Sequence, residues 1–376
     1  MKVLYTSNTY IHLYLCHIPY LKWFNDNGFI VHTATSSNKE LEYASKCYSV
    51  PIKRTPFKLD NIKSIFILKK IIETEKYDII HTNTPSAAVV TRLAALHYRK
   101  KNNVKVIYTA HGFHFFKGCP WINWILFFPI EKILSKYTDL IITMNEEDYN
   151  FAKKHFKTKI KYIPGIGFKE EKFSKSISTS KRKKIIRELG FKDSDYIISY
   201  VAEISNRKRQ MYLVKAFYEM NITNEKLLLI GNNARDKKIR KFIKKKGLED
   251  SVKLLGFKDN INEYVDISDL VISVSKQEGL PLNIMEAMYK NKPIIVTNCR
   301  GNRDLICNGV NGLVVDIKDK EGLIGAIRTL KNNKSYALEL GRKNSDIINK
   351  YSIMNVLKIM DKIYREEIEE LYERKD

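Results

Sequence analysis

Apolar runs of strand length alternate along the chain with amphipathic stretches of helical length. The runs in the first half are rich in Val, Ile and Tyr and are bounded by turn residues, which is the pattern of buried strands. Strands that alternate with helices predict βαβ units and a parallel sheet. The predicted strands of this half span 2–6, 30–34, 77–81, 104–110, 140–144 and 160–163. The predicted helices span 13–27, 62–74, 86–100, 121–136 and 146–156.

The same alternation begins again near residue 196 and predicts a second parallel sheet. Between the halves, the polar stretch from Pro164 to Lys184 favours a linker, and a last amphipathic stretch follows Tyr351. Two doubly wound α/β halves, divided near residue 170, are the simplest account of 376 residues with 44% hydrophobic content. The predicted strands of the second half span 196–201, 226–230, 252–255, 270–274, 293–296 and 312–315.

The charge balance is strongly basic, with a formal net charge of +24 at pH 7. This excess favours an anionic partner, which can be nucleic acid, an acidic membrane surface or a phosphorylated substrate; a generally lysine-rich composition is the alternative explanation. The five cysteines form no C-x-x-C pair, and a chain of this size needs no disulfides. There is no signal-peptide pattern and no apolar run of about 18 residues, so we expect a cytoplasmic protein.

The segment 278–288, EGLPLNIMEAM, directly follows the predicted strand 270–274. A helix with Pro281 at its first position would leave backbone N–H groups free to bind a diphosphate. Glu286, over a turn further in, could accept hydrogen bonds from ribose hydroxyls, and Glu278 could reach a sugar ring on the other side. A surface helix with solvated glutamates is the alternative. The predicted donor-binding residues of this segment are Glu278, Gly279, Leu280, Pro281, Leu282, Asn283 and Glu286.

Basic residues precede the helix that follows the predicted strand 196–201. Arg207 and Lys208 would face the same cleft as Glu278, where a diphosphate is their natural partner; a solvated basic turn is the alternative. The triplet 193–195, DSD, has the D-x-D spacing of some metal sites. We reject that interpretation because the triplet precedes a strand near the linker, far along the chain from the donor segment, and we predict no metal ligand.

Polar side chains also follow two strands of the first half. His111 lies at the carboxyl end of a predicted strand, where the ligand sites of α/β sheets collect, and a buried structural histidine is the alternative. Asn83 and Thr84 follow the preceding strand and could bind an acceptor hydroxyl. We also predict that His114 binds the acceptor; a purely structural role for this residue is the alternative.

These motifs resemble those of the retaining glycosyltransferases of family 4, and the resemblance extends over nearly the whole chain. The resemblance rests mainly on the E-x7-E pair of Glu278 and Glu286, which in that family holds the nucleotide-sugar donor. The resemblance implies the α/β fold called GT-B, in which two Rossmann-like doubly wound domains face each other across a cleft. It implies an acceptor-binding domain at 1–169, a donor-binding domain at 170–350 and a C-terminal helix at 351–376 that crosses back to the first domain.

The same resemblance implies roles for single residues. His111 matches a histidine near the donor sugar and the transferred carbon, and Lys208 aligns with the phosphate-binding lysine. Gly256-Phe257 matches the segment whose backbone binds the base of the nucleotide-sugar. Glu203 stands where the family commonly has an arginine, and Arg207 is the cation that could compensate. The expected catalytic residues are His111, Lys208 and Glu278.

The implied activity is the transfer of a hexose or N-acetylhexosamine with retention of configuration. A UDP-sugar is the expected donor, and the expected acceptor is a lipid-linked or growing saccharide in capsule or exopolysaccharide synthesis. No cofactor is expected, because the nucleotide-sugar is a co-substrate, and the resemblance implies no metal, because GT-B enzymes generally need none. One alternative is a UDP-sugar 2-epimerase on the same fold; the aromatic residues of the predicted helix 121–136 and the absence of further carboxylates in the predicted cleft argue against it. A nucleic-acid-binding protein is a second alternative, but the chain has no recognisable nucleic-acid-binding motif, so nucleic acid is not an expected partner.

The predicted helix 121–136 is unusually aromatic. Its bulky side chains predict either a core helix or a helix at a membrane interface, and the sequence leaves both open. The positive charge makes an anionic membrane surface an expected partner, with a peripheral location at the inner face of the cell membrane. The side chains concerned are Trp121, Trp124, Ile125, Phe127 and Phe128.

Overall fold

A computed structural model describes residues 1–55, 58–232 and 236–373, except for the side chain of Lys172. The chain forms two compact units: the first contains Met1–Gly167 together with Met354–Asp376, and the second contains Phe168–Ile353. The sequence places these divisions after residues 169 and 350. The assignment of acceptor and donor binding to the two units stays a prediction.

Seven parallel strands form the sheet of the first unit. They are β1 (Lys2–Thr6), β2 (Ile30–Thr35), β3 (Lys46–Ser49), β4 (Ile79–Asn83), β5 (Lys105–Ala110), β6 (Leu140–Thr143) and β7 (Lys159–Tyr162). Their order in the sheet is β3-β2-β1-β4-β5-β6-β7. The order reverses between β1 and β4, so the loops after these strands diverge and leave room for side chains at the carboxyl edge.

The helices of the first unit pack against this sheet, and the first predicted helix is in fact two. His17 ends α1 with a ψ of −2°, and α2 starts at Ile18 with Pro19 in its first turn. Proline has no N–H to continue a helix and its ring displaces the preceding turn, which explains the break. The helices are α1 (Tyr10–Cys16), α2 (Ile18–Asp26), α3 (Asp60–Glu75), α4 (Pro85–Lys101), α5 (Trp121–Ser135) and α6 (Glu146–His155).

Six parallel strands form the sheet of the second unit. They are β8 (Tyr196–Val201), β9 (Glu225–Ile230), β10 (Val252–Gly256), β11 (Leu270–Ser273), β12 (Ile294–Thr297) and β13 (Leu313–Val315). Their order is β10-β9-β8-β11-β12-β13, with the reversal between β8 and β11. The predicted architecture of two doubly wound parallel sheets is therefore confirmed.

The predicted linker 164–184 was wrong in its second part, because a helix of the second unit begins at Thr179. Ser178 is the N-cap of α7, and its Oγ accepts a hydrogen bond from the backbone N–H of Lys181 at 3.3 Å. A polar Ser-rich run can mark either a loop or a helix start, and here it starts a helix. The helices are α7 (Thr179–Glu188), α8 (Gln210–Glu219), α9 (Asp236–Lys245), α10 (Ile261–Ile267), α11 (Leu282–Tyr289), α12 (Asn302–Leu305), α13 (Lys320–Asn332), α14 (Lys334–Arg342) and α15 (Asn344–Ile348).

The last helix, α16 (Ile353–Glu373), packs on the first unit, so the predicted return of the chain is confirmed. Tyr364 reaches the core of that unit, where its hydroxyl lies 2.6 Å from the hydroxyl of Tyr5. The buried ammonium of Lys105 donates to Glu367 at 3.1 Å and to Glu370 at 2.5 Å. The last three residues of the predicted segment 351–376 lie outside the described residues.

Candidate functional site

Three charged side chains meet at the carboxyl edge of the second sheet. Glu278 is buried in the loop between β11 and α11. Its Oε1 accepts a hydrogen bond from Lys208 Nζ at 2.6 Å, and its Oε2 accepts one from Arg207 Nη1 at 3.0 Å. The two cations follow β8, which is the neighbour of β11 in the sheet, and this adjacency brings together residues that lie far apart in sequence.

Glu278 remains ionised despite its burial. Burial by itself would raise the pKa of this carboxyl group, but the charges of Lys208 and Arg207 outweigh it, and the pKa lies below its usual value. The Tyr200 hydroxyl donates to the backbone carbonyl of Lys208 at 2.9 Å, which fixes the turn that carries the lysine. Two cations and one carboxylate leave a net positive charge at this edge, which suits an anionic ligand.

The start of α11 differs by one residue from the prediction. Pro281 is the N-cap and not the first helical residue, because its ψ of 114° is extended and its carbonyl accepts from the N–H of Ile284 at 3.2 Å. The N–H groups of Leu282 and Asn283 are the first two of the helix and have no acceptor within it. Asn283 Nδ2 is buried without a hydrogen-bond partner among the residues that the structure describes. The helix start therefore presents several hydrogen-bond donors.

A second loop closes against the loop that carries Glu278. A Cβ atom on Gly301 would lie 2.4 Å from the carbonyl oxygen of Gly279, so only glycine allows the two backbones to approach this closely. Arg300 is buried, and its Nε donates to the backbone carbonyl of Glu278 at 3.3 Å. Arg300 was not among the predicted site residues; its position three residues after β12, before the glycine, is the signal that could have indicated it.

Three further predicted donor contacts belong to the second unit: Gly256 and Phe257 at the end of β10, and Glu286 within α11. The backbone N–H of Phe257 donates to Asn232 Oδ1 at 2.9 Å, while the phenyl ring is exposed after β10. Gly256 has a φ of +69°, which lets the chain turn there. Glu286 is half-buried on α11, between the buried Met285 and Ala287. The proposed contacts of these residues with a base or a ribose stay predictions.

In the first unit, His111 lies beside two histidines that the sequence analysis missed. His111 Nε2 and His17 Nε2 are 3.1 Å apart, and the ring centroids of His12 and His111 are 4.4 Å apart. Burial lowers the pKa of His12 to about 4, and burial together with the neighbouring histidines holds the pKa of His17 and of His111 well below the usual value. His12 lies within α1 and His17 directly follows that helix, close after β1; two histidines after a first strand are the signal that could have revealed them.

The predicted acceptor residues lie close to the same edge. Asn83 is fully buried, and its Nδ2 donates to the backbone carbonyl of Thr6 at 3.4 Å. Thr84 has a φ of +70°, which is strained for a β-branched residue, and its Oγ1 accepts from the N–H of Asn8 at 3.2 Å. The ring of His114 stacks on Phe127 at a centroid distance of 4.8 Å. The structure thus gives each of them an internal contact, and their role in acceptor binding stays a prediction.

Helix α5 has two different faces. Trp124, Phe127 and Phe128 pack on the core of the first unit, as the core interpretation requires. Trp121 and Ile125 are 71% and 59% exposed, as the interface interpretation requires. Within the described residues, every helix is too short or too polar to cross a bilayer. The helix is therefore partly core and partly an exposed apolar surface.

The rejected D-x-D triplet is a turn. Asp195 Oδ2 accepts from the backbone N–H of Lys192 at 2.8 Å and lies 3.9 Å from Lys226 Nζ, so its carboxylate already has partners. Across 1–55, 58–232 and 236–373, the group of residues with metal-ligating spacing is instead His12, His17 and His111.

Comparison with known proteins gives two family matches. Residues 181–346 match the family described as Glycosyl transferases group 1, and residues 2–145 match the family described as Glycosyl transferase 4-like. EpsD of Bacillus subtilis (strain 168), a protein named as a glycosyltransferase, is 35% identical over 96% of this chain and 96% of its own length.

Two further relatives carry more specific names. The UDP-Gal:alpha-D-GlcNAc-diphosphoundecaprenol alpha-1,3-galactosyltransferase of Escherichia coli is 28% identical over 81% of this chain and 79% of its own length. The crystal structure of Anabaena HepE in complex with UDP and glucose matches with a TM-score of 0.80, over 97% of this chain and 100% of that one, at 20% identity. At that identity the match shows a common fold.

Proposed function

The chain belongs to glycosyltransferase family 4 and has the GT-B fold, and we therefore propose that it transfers a sugar, with retention, from a nucleotide-sugar to a lipid-linked or growing saccharide. The donor that we propose is a UDP-sugar, because the Escherichia coli relative is named for UDP-Gal and HepE binds UDP in its crystal structure. The diphosphoundecaprenol in the name of the former supports a lipid-linked acceptor.

The contact of Lys208 and Arg207 with Glu278 carries this proposal. The two cations contact the loop that leads into α11. The first N–H groups of this helix have no acceptor within the helix and can bind phosphate oxygens. The diphosphate gains negative charge as the glycosidic bond breaks. Lys208 and the start of α11 therefore stabilise the transition state more than the ground state, and this stabilisation requires no metal ion.

The proposed reaction is a front-face substitution. The oxygen of the acceptor hydroxyl forms a bond to the anomeric carbon on the face from which the diphosphate departs. The electron pair of the broken bond leaves with the diphosphate, and the hydroxyl proton goes to one of its oxygens. No protein nucleophile is needed; Glu278, which is ionised and paired, orients the sugar, and His111 is the further catalytic residue that we propose from the family resemblance.

We also propose an anionic membrane surface as a partner of the first unit, at the cytoplasmic face. The exposed side of α5 offers Trp121 and Ile125, and Phe66 on α3 is exposed as well. Exposed aromatic and aliphatic side chains insert into a bilayer interface, and the net charge of +24 adds attraction to acidic lipids.

The experiment that tests the transfer offers UDP-, GDP- and TDP-sugars to the purified protein, together with a prenyl-diphosphate-linked saccharide. We expect release of UDP and a product with the anomeric configuration of the donor, both in the presence and in the absence of EDTA. The control variant Lys343→Ala, in an exposed ion pair with Glu339 at the end of α14, should behave like the wild type, whereas Lys208→Ala should transfer the sugar about 10–150-fold more slowly. An epimerised UDP-sugar without acceptor would show an isomerase instead, and an inverted product would contradict retention.

A further inference from the structure

Three histidines of the first unit form a compact group, which we call the histidine cluster: His12, His17 and His111. One ring nitrogen of each lies within 4.8 Å of a ring nitrogen of the other two. His12 comes from α1, His17 joins α1 to α2, and His111 follows β5, so the group exists only in the folded chain. From this geometry we infer that the histidine cluster binds one divalent transition-metal cation that prefers nitrogen ligands, such as Zn²⁺.

The distances fit such a cation. Zinc–nitrogen bonds are about 2.0–2.1 Å long, so two imidazole nitrogens on a tetrahedral zinc ion lie about 3.3 Å apart. The 3.1 Å between His17 Nε2 and His111 Nε2 is close to that separation. The third ring needs to move by only about 1.5 Å, within the reach of a side-chain rotation of His12, because the longest of the three separations is at most 4.8 Å.

The ligand chemistry narrows the choice of cation. Imidazole nitrogens suit Zn²⁺, Co²⁺, Ni²⁺ and Cu²⁺, whereas Mg²⁺, Ca²⁺ and Mn²⁺ prefer oxygen ligands. Three histidines with a fourth position for water or another ligand are a known coordination set for zinc. The site is therefore chemically distinct from the D-x-D triplet, whose carboxylates would suit the oxygen-preferring ions.

The position of His17 supports a binding site over a purely structural role. The residue is 2% exposed, and its Nδ1 has no hydrogen-bond partner among the described residues; the same holds for Nδ1 of His12. Buried polar atoms in folded proteins normally have partners. The backbone of His17 is fixed on both sides, since its N–H donates to Leu13 at 2.8 Å and its carbonyl accepts from Tyr20 at 3.0 Å. The backbone that carries the His17 ring is thus fixed, and its Nε2 lies 3.1 Å from Nε2 of His111.

Binding should be reversible. Metal-ligating histidines usually donate their second ring N–H to an acceptor, and loss of such a partner weakens binding by about 10–100-fold. His17 Nδ1 has no such acceptor in the described part of the chain, so we expect weaker binding than at a zinc site that has this partner. A cation at the cluster would engage His111 and slow sugar transfer. This inhibition rests on the proposed catalytic role of His111, whereas the binding itself does not.

The test is calorimetric titration of the untagged, chelator-treated protein with Zn²⁺, together with the absorption spectrum of its Co²⁺ complex. We expect one equivalent bound and the visible bands of a tetrahedral, nitrogen-rich Co²⁺ site. His12→Asn and His17→Ala should each weaken binding by more than about 100-fold, since even the loss of an outer partner costs about 10–100-fold. His12→Asn is the safer variant for folding, because His12 is only partly buried.

Two controls separate the cluster from other ligands. His97→Ala removes an exposed histidine of α4, and Cys16→Ser removes the thiol next to His17; neither should change the affinity for Zn²⁺. Absence of stoichiometric binding in the wild type, or unchanged binding in a folded His12→Asn variant, would overturn the inference. Zinc that binds as expected but leaves transfer unaffected would keep the site and contradict only the role of His111.

Discussion

Lys208 and Arg207 share the carboxylate of Glu278 but differ in their exposure to water. The lysine side chain is 11% exposed and the arginine side chain 43%. Because water screens charges, the buried lysine should contribute more to binding a phosphate than the exposed arginine does. In the proposed reaction, a bound diphosphate shares these cations with Glu278.

Lys208→Ala should therefore lower kcat for sugar transfer more than Arg207→Ala. A lost charge-assisted hydrogen bond costs about 1.5–3 kcal/mol, which is roughly 10–150-fold in rate if the bond strengthens in the transition state. Both variants are compared at saturating donor, with thermal unfolding to check that they fold. The opposite order would assign the phosphate contact to Arg207, and wild-type kcat in both would contradict the proposed site.

Glu286→Ala should raise the donor KM by about 10–150-fold with little change in kcat, because ribose hydroxyls bind equally in the ground state and the transition state. Glu278→Ala, by contrast, should mainly lower kcat. Steady-state kinetics with the UDP-sugar measure both effects. Glu339→Ala, at an exposed glutamate of α14, is the control. An unchanged KM for Glu286→Ala would remove the ribose contact from the proposal.

At the scale of elements, α5 and α16 each combine two kinds of contact. The inner face of α5 packs aromatic rings on the core, and its outer face exposes Trp121 and Ile125. Helix α16 buries an apolar stripe and adds ion pairs from Glu367 and Glu370 to Lys105. We therefore expect that α5 can be altered on its outer face without loss of folding, whereas α16 is held by apolar packing and by ion pairs together.

We expect the protein to sediment with anionic vesicles, and high salt to release only part of it, because inserted apolar side chains are not screened. Trp121→Ser combined with Ile125→Ser should make the remaining binding fully salt-sensitive. Leu338→Ser, at an exposed apolar residue of the second unit, is the control. A wild-type protein that ignores anionic vesicles at low salt would contradict the membrane proposal.

The ion pairs of α16 should make stability depend on pH in the acid range. Burial would raise the pKa of Glu370, but the hydrogen bonds from Lys105 and Lys159 outweigh it and lower this pKa from 4.5 to about 2. A carboxyl group with a lowered pKa stabilises the fold above its unfolded pKa, and this stabilisation is lost as the pH falls toward the folded pKa.

The unfolding free energy of the wild type should therefore decrease between about pH 4.5 and about pH 2, and less steeply in Glu370→Gln. Urea unfolding at several pH values measures the difference. Glu369→Gln changes an exposed neighbour on the same helix and should follow the wild type. Identical pH profiles for wild type and Glu370→Gln would show that this ion pair does not contribute.

At the scale of the whole molecule, the chain builds two cores that can be observed separately. Each unit has its own parallel sheet and its own clusters of buried apolar residues. The chain has three tryptophans, Trp23, Trp121 and Trp124, and all of them belong to the first unit. Tryptophan fluorescence therefore reports on that unit alone, while far-UV circular dichroism reports on both.

A chain that ends at Ile353 should lose the native tryptophan fluorescence but keep the circular dichroism of the second unit and its binding of UDP. The physical reason is that the first unit loses the buried stripe of α16, which includes Met360, Ile363 and Tyr364. A chain that ends at Glu373 keeps this stripe and is the control. Native fluorescence in the shorter chain would show that the first unit folds without its last helix.

Much of the fold follows from the sequence alone. Runs of β-branched residues between turns fixed β1, β2, β5 and β8 to within a residue or two, because a strand buried on both faces is apolar throughout. The missed strand β3 is short and half-exposed, and it lies at the edge of the sheet, where it pairs with β2; its residues therefore carry no apolar run. The sequence also indicated Glu278, Arg207 and Lys208, which each lie between a strand and the helix after it, and Glu286, which lies within α11.

Only the tertiary structure decided which of these groups meet. Lys208 contacts Glu278 because β8 and β11 are neighbours, and strand order is a long-range property that local patterns do not encode. The same cause brings His12 and His17 to His111: their segments follow β1 and β5, which lie on the two sides of β4. Residue type and local propensity determined the elements, and the packing of distant strands determined the sites.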